Sequence, residues 1–283
     1  YGMDPDGGLG FLLPLFYHRL LNASIIANGS HQLAGSLARF ANRNGVTFER
    51  AAPVAKILCD GTRAIGVRLV SGQEIMAKKV VATTDPQTTF LEMVGEDVCN
   101  KASSSLVDQT KAWEWESTSL IDVHYALDRR PVHTAAAFDP VCDRALVKIM
   151  GVETVDELLE HIDLVRGGGV GMVGAGMTLT DLDPMQAPID LEPNSAVACF
   201  ETLAPYKHSD GSWDDLAAGY SRSFLDLWAQ YAPNLADATV IRDYVNHPAY
   251  IEAKLPNMKR GSIKHGAYVA TQMLSNRPSV DCS

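Results

Sequence analysis

The chain has 283 residues, enough for about two domains or one large one at roughly 150 residues per domain. Lysine and arginine number 24 against 34 aspartates and glutamates, a formal net charge of −10, so the chain lacks the basic face that nucleic-acid phosphates require. Hydrophobic residues at 46% and charged residues at 20% exclude a disordered, collagenous or disulfide-scaffold class and leave enough apolar side chains for a core.

No stretch approaches the ~18 uncharged apolar residues of a membrane span. The most apolar opening run, Leu9 to Phe16, is short, contains Pro14, and lacks the basic start and small-residue cleavage site of a signal peptide. Cys59, Cys99, Cys142, Cys199 and Cys282 are scattered, with no CxxC pair to support zinc or thioredoxin-type chemistry. An odd, dispersed set reads as reduced thiols in the cytoplasm or another reducing compartment. The chain opens on Tyr1 and stops soon after Asn276-Arg277-Pro278, which reads as a piece of a longer polypeptide.

Between Gly29 and Gly45, Leu33, Leu37, Phe40 and Ala41 recur at spacings of three and four, the signature of one apolar helix face. Ser30 can cap its start, and Gly45 sits where a C-terminal glycine belongs. Val46 to Glu49 reads as a short strand. Pro53 to Leu58 and Ala64 to Val70 alternate, with turn signals at Asp60-Gly61 and Ser71-Gly72. Glu74 to Ala77 leads into a return strand, Val80 to Thr84, closed by Asp85-Pro86. A short helix is expected over Thr88 to Val94 and a strand over Ser117 to Leu127. Asp139 to His161 reads as mainly helical, with an apolar stripe of Val152, Val155, Leu158, Leu159 and Ile162. Ala196 to Leu203 is an apolar strand, Trp213 to Tyr231 an amphipathic helix, and Thr239 to Val245 a strand running into His247-Pro248. This mixture indicates α/β or α+β architecture.

Gly169-Val-Gly-Met-Val-Gly174 matches GxGxxG, but a dinucleotide site needs a strand before the glycines and a helix after them. Here a helical pattern comes first, so a glycine-rich loop is the better reading. Asp122 and His124 share one face of a strand without a third metal ligand at a defined spacing. There is no GxSxG or HExxH, and the Asp181 and Asp183 pair sits in a loop, which argues against hydrolase chemistry.

The order of segments carries a resemblance. Gly29-Ser30 heads a helix, then come Gly45-Val-Thr-Phe48, Ala52-Pro-Val-Ala-Lys-Ile57, Arg63-Ala-Ile-Gly-Val-Arg-Leu69 and Val80-Val-Ala-Thr-Thr-Asp-Pro86. Downstream follow Ala204-Pro-Tyr206, Asp210-Gly-Ser-Trp213, Gly261-Ser-Ile-Lys-His-Gly266, Gln272 and Arg277-Pro278. Over most of Ala27 to Pro278 the chain resembles the central portion of the phytoene desaturase-related FAD-dependent oxidoreductases, in the branch of the pyridine nucleotide-disulphide oxidoreductase domain-containing proteins.

That resemblance implies a partial Rossmann-like FAD domain over residues 1–103 with an inserted β-meander. It implies an antiparallel-sheet substrate domain with helices over 104–256, and a return segment toward the FAD domain over 257–283. It assigns Val54 to the adenine edge through main-chain atoms, Thr84 and Asp85 to the cofactor, Tyr206 to substrate, and His265 to catalysis beside the flavin. It implies hydride transfer from a small, apolar substrate, with no metal and no nucleic acid. Peripheral membrane contact and a homo-oligomer are compatible with it. The strand–GxGxxG–helix that meets the FAD diphosphate is not in this sequence, so the chain alone is expected to bind FAD weakly or not at all and to be inactive. The competing reading is a non-catalytic module, derived from this family, that binds a ligand or a partner.

Overall fold

The computed structural model describes residues 24–186, 192–272 and 277. The run Leu9 to Phe16, Asn276, Pro278 and Cys282 lie outside them. The chain divides into two compact units: one holds residues 40–116 and the segment from Lys264 onward, and the other holds the described residues up to 39 together with 117–263.

The helix expected after Ser30 is α1 (His31–Arg43), and Gly45 follows it at φ +83°, the left-handed conformation that ends a helix. Its apolar face forms but is not buried: Leu33, Leu37 and Phe40 are all exposed. Val46 to Glu49 is irregular and pairs with no strand among the described residues, so the expected strand there is not formed. Alternation favours an extended backbone; only a neighbouring backbone with free amides and carbonyls turns it into a strand.

The meander is as expected. β1 (Val54–Asp60), β2 (Arg63–Leu69) and β3 (Glu74–Met76) pair antiparallel in sequence order, with Gly61 and Gly72 at the turns. The return strand expected over Val80 to Thr84 is not formed among the described residues, where that segment is irregular. Beyond it a π-helix (Gln87–Gly95) runs into α2 (Glu96–Ala102), followed by α3 (Leu106–Lys111). Cys99, Leu106 and Val107 form the small core of this unit, with Phe90, Leu91 and Val94 packed against them.

In the other unit, β4 (Thr118–Leu127) alternates strictly between buried and half-buried residues, the pattern of a sheet with one face on a core. The expected helix over Asp139 to His161 is interrupted by β5 (Lys148–Met150), and α4 (Val155–Arg166) starts only at a capping box. There Glu157 N–H donates to Thr154 Oγ1 at 3.2 Å and Thr154 N–H donates to Glu157 Oε2 at 3.0 Å. The helix buries His161 and Val165, while Val155, Leu158 and Leu159 of the expected stripe are exposed. Pairing of β5 with β6 (Gly174–Thr178) outweighs local helical preference at 148–150.

The loop before β6 carries the GxGxxG match, and its neighbours settle its role. A helix precedes it and a strand follows, the reverse of a dinucleotide site. A Cβ on Gly171 would stand 2.4 Å from the His161 ring, and one on Gly174 would stand 2.5 Å from Phe200, so these glycines permit close packing. The short α5 (Leu179–Leu182) follows β6. β7 (Ala196–Pro205), α6 (Trp213–Tyr231), β8 (Val240–Asn246) and α7 (Pro248–Lys254) complete the unit. The sheet order is β5-β6-β7-β4-β8, with every neighbouring pair antiparallel.

The main core lies between this sheet and α6. Ile121, Val123, Tyr125 and Leu127 of β4 and Phe200 of β7 meet Phe224, Leu225 and Trp228. Phe200 and Phe224 stack with centroids 4.9 Å apart. Three buried histidines sit in or beside this unit's core. Trp228 Nε1–H donates to His133 Nε2 at 2.9 Å, so the neutral ring carries its proton on Nδ1 and donates it to Asp143 at 2.7 Å. His247 stacks on Trp213 at 5.4 Å and accepts the Tyr250 N–H on Nδ1 at 3.2 Å, capping α7.

Burial pushes His133, His161 and His247 below the ordinary imidazole range. Unfolded, each takes up a proton near pH 6.5; folded, each resists until lower pH. Their contribution is therefore complete above about pH 6.5 and is lost as pH falls below it. The melting temperature is expected to drop between pH 8 and pH 5, and His133→Asn to flatten part of that drop in a thermal-melt series against pH.

Candidate functional site

One cavity of about 340 Å³ lies within the unit of residues 40–116 and 264 onward. Its walls come from two stretches about 180 residues apart, Thr83–Pro86 and Lys264–Tyr268, joined by Trp113, Gln272 and Arg277. Pro86 fixes the chain at the head of the π-helix, and Asp85 secures it. Asp85 Oδ1 accepts the Thr88 N–H at 2.9 Å and its carbonyl accepts the Thr89 N–H at 2.9 Å. Thr84 is tied to the same turn, its Oγ1 2.6 Å from that of Thr89. Asp85 is 2% exposed, so its position is fixed from the protein side.

The opposite wall hangs on the irregular segment Trp113–Glu116. Gln272 Oε1 accepts the Glu114 N–H at 2.8 Å, and its Nε2 donates to the carbonyls of Glu114 at 3.0 Å and Ala267 at 2.8 Å. Trp113 Nε1–H donates to the His265 carbonyl at 3.2 Å. Lys264 forms a nearly buried ion pair with Glu116, which also accepts the Tyr268 N–H at 3.3 Å. These bonds hold His265 at φ +57°, a conformation few non-glycine residues adopt. His265 is half-buried and lines the cavity.

The donor set is chemically mixed. Residues that carry hydroxyl, imidazole, ammonium and guanidinium groups line it together with Trp113 and Tyr268. The volume falls at the low end of the ~300–1,000 Å³ range of ligand pockets. Flat aromatic surface beside hydrogen-bond donors suits one end of a planar polar heterocycle, so a flavin fits these residues chemically.

The structure brings Thr84, Asp85 and His265 together on this cavity. Val54, at the start of β1, is not among its lining residues, and the carbonyl of neighbouring Pro53 is taken by the Val70 N–H at 2.9 Å. Tyr206 belongs to the other unit, where its hydroxyl donates to Glu252 and its carbonyl accepts Trp213 Nε1–H at 3.1 Å. That acceptor carboxylate holds the Tyr206 phenol above its ordinary range. Sequence reading missed Trp113, Glu116 and Lys264 as site residues. The only sequence signal for the first two was the alternation Trp113-Glu114-Trp115-Glu116, an extended segment with aromatic and acidic faces.

Comparison with known proteins places the chain among oxidoreductases. No protein-family model matches the chain. A limonene dehydrogenase subunit of Castellaniella defragrans is 36% identical over 100% of this chain and 53% of its own length. Hydroxyneurosporene desaturase of Cereibacter sphaeroides is 32% identical over 40% of this chain and 23% of its own. Pyridine nucleotide-disulfide oxidoreductase domain-containing protein 2 of Mus musculus is 25% identical over 90% and 44%. The chain is thus a relative of the phytoene desaturase-related FAD-dependent oxidoreductases, and it spans about half the length of the curated relative it matches along its whole extent. Among solved structures, an oxidoreductase from Methanosarcina mazei aligns at 13% identity and TM-score 0.46, covering 78% of this chain and 43% of that one.

Gly266 is the position on which the second wall turns. A Cβ there would stand 2.6 Å from the Trp113 indole, at φ +149°. Gly266→Ala is expected to displace the indole, break its bond to the His265 carbonyl, and cost about 1–3 kcal/mol. Urea unfolding and near-ultraviolet circular dichroism check this; an unchanged aromatic spectrum would contradict it.

Proposed function

We propose that this chain works as part of an FAD-dependent oxidoreductase of the dehydrogenase or desaturase type, with the cavity of Thr84, Asp85 and His265 holding part of the flavin. The observation that carries this reading is the meeting of two distant stretches, both picked out by family resemblance, on one cavity. The sequence likeness to named dehydrogenases and desaturases supports it.

When bound, FAD supplies a two-electron acceptor for a hydride leaving a substrate C–H bond. Thr84 and Asp85 form the wall against which the cofactor rests, and Val54 offers main-chain atoms to the adenine edge. The Gln272 and Trp113 bonds orient the loop of His265. An imidazole nitrogen of His265 takes the proton that leaves the substrate as its double bond forms. Residues 104–256 form the substrate-binding part, with Tyr206 in contact with substrate, residues 1–103 belong to the FAD domain, and the segment from 257 onward returns toward it. The substrate is small and apolar, in keeping with a relative named for limonene, and assembly with further subunits follows that relative, named as a subunit.

The test uses the full-length polypeptide purified from its host. It is expected to be yellow with one FAD per chain. His265→Ala should keep the flavin while slowing turnover by about 10²-fold or more with whichever of limonene or an acyclic carotene bleaches the flavin anaerobically. A colourless protein would contradict the reading and favour a non-catalytic module. Unchanged turnover in the variant would remove His265 from the chemistry.

A further inference from the structure

The five-stranded sheet has a second face, opposite the one that packs on α6, and a cluster on it answers to none of the chemistry above. On β4, Asp122 and His124 point to this face, half-buried between the core residues Ile121, Val123 and Tyr125. Register places Cys199 of β7 directly opposite His124, and Glu201 directly opposite Asp122. The sequence shows only the Asp122 and His124 pair; the third group arrives from a strand about 75 residues further on, through sheet pairing.

The three groups converge on one point. Asp122 Oδ2 lies 3.0 Å from His124 Nε2, and Cys199 Sγ lies 4.0 Å from that same nitrogen. One ligand atom from each of the three residues lies within 4.8 Å of the others. A nucleophile–imidazole–carboxylate relay needs the thiol and the carboxylate on different ring nitrogens. Here both approach Nε2, which excludes the relay and leaves the geometry of donors around a shared centre. Ligands on a tetrahedral zinc ion stand roughly 3–4 Å apart, given bonds of about 2.0–2.3 Å. Asn246 Nδ2 donates to Asp122 Oδ2 at 2.7 Å, the kind of outer hydrogen bond that orients a ligating carboxylate.

The local charge points the same way. Asp122 and Glu201 are cross-strand partners, and like charges in that relation are destabilising. A cation at the cluster offsets that cost. The site is reachable, since the Asp122 and His124 side chains are 21% and 45% exposed, while Cys199 at 4% forms its floor.

We propose that Asp122, His124 and Cys199 form a binding site for a divalent cation of the zinc type, borderline in softness, with solvent completing the coordination. Binding forms three protein–metal bonds, through a carboxylate oxygen, an imidazole nitrogen and a thiolate, and releases the thiol proton of Cys199 to solvent. No electron is transferred. The mixed oxygen, nitrogen and sulfur set disfavours magnesium and calcium, which take oxygen ligands.

The test is titration of the chelator-treated full chain with cobalt(II), followed by displacement with zinc. One equivalent should bind, with a thiolate-to-cobalt charge-transfer band in the near ultraviolet and the strong visible bands of tetrahedral cobalt. Cys199→Ser should abolish the charge-transfer band, and His124→Ala should weaken binding by about tenfold or more, both with unchanged far-ultraviolet circular dichroism. Absence of a thiolate band, or its persistence in Cys199→Ser, would overturn the proposal. The readout is independent of any flavin, so the site and the flavin reading stand or fall separately.

Discussion

The side-chain amide of Gln272 makes three hydrogen bonds to main-chain groups of Glu114 and Ala267, and the candidate site depends on them. A loop without a strand ladder still has to satisfy its backbone amides and carbonyls where it is buried. Gln272, 6% exposed, does this with one planar group that is donor and acceptor at once. Glu116 adds a carboxylate that takes both Lys264 and the Tyr268 amide, and Trp113 adds its indole N–H. Together they hold a turn that is costly in backbone terms, with His265 in the left-handed region and Gly266 against an aromatic ring. Removing one partner of the Lys264 and Glu116 pair would leave a charge stranded with little water, so the pair is needed as a unit.

The five-stranded sheet shows a second constraint at work. Antiparallel pairing sends alternate residues to opposite faces, so β4 serves two purposes in one segment. Ile121, Val123, Tyr125 and Leu127 build the core with α6, and the residues between them carry Asp122 and His124 outward. A one-residue slip would bury both polar groups and expose the core set, so the core itself fixes the register that brings Cys199 beside His124.

Elements defined by local signals were legible in the sequence. Asp60-Gly61 and Ser71-Gly72 announced the meander, and the Trp213–Tyr231 helix was read to the residue. The GxGxxG match was correctly discounted from the order of its neighbours. The strands expected at Val46–Glu49 and Val80–Thr84 failed because pairing depends on a partner that local alternation cannot report. The start of α4 was missed because a capping box at Thr154 overrode the apolar periodicity read through it. At the site, Thr84, Asp85 and His265 could be named only through resemblance. Lys264 and Trp113 became visible when the fold closed the distance between residues about 150 positions apart.

The central claim is that Thr83–Pro86 and Lys264–Gly266 form one wall-to-wall site for a flavin. Hydrogen–deuterium exchange of the full-length protein, with FAD bound and after its removal, tests this most directly. The account predicts that FAD slows exchange at both stretches together. Protection elsewhere, with both stretches unchanged, would contradict it.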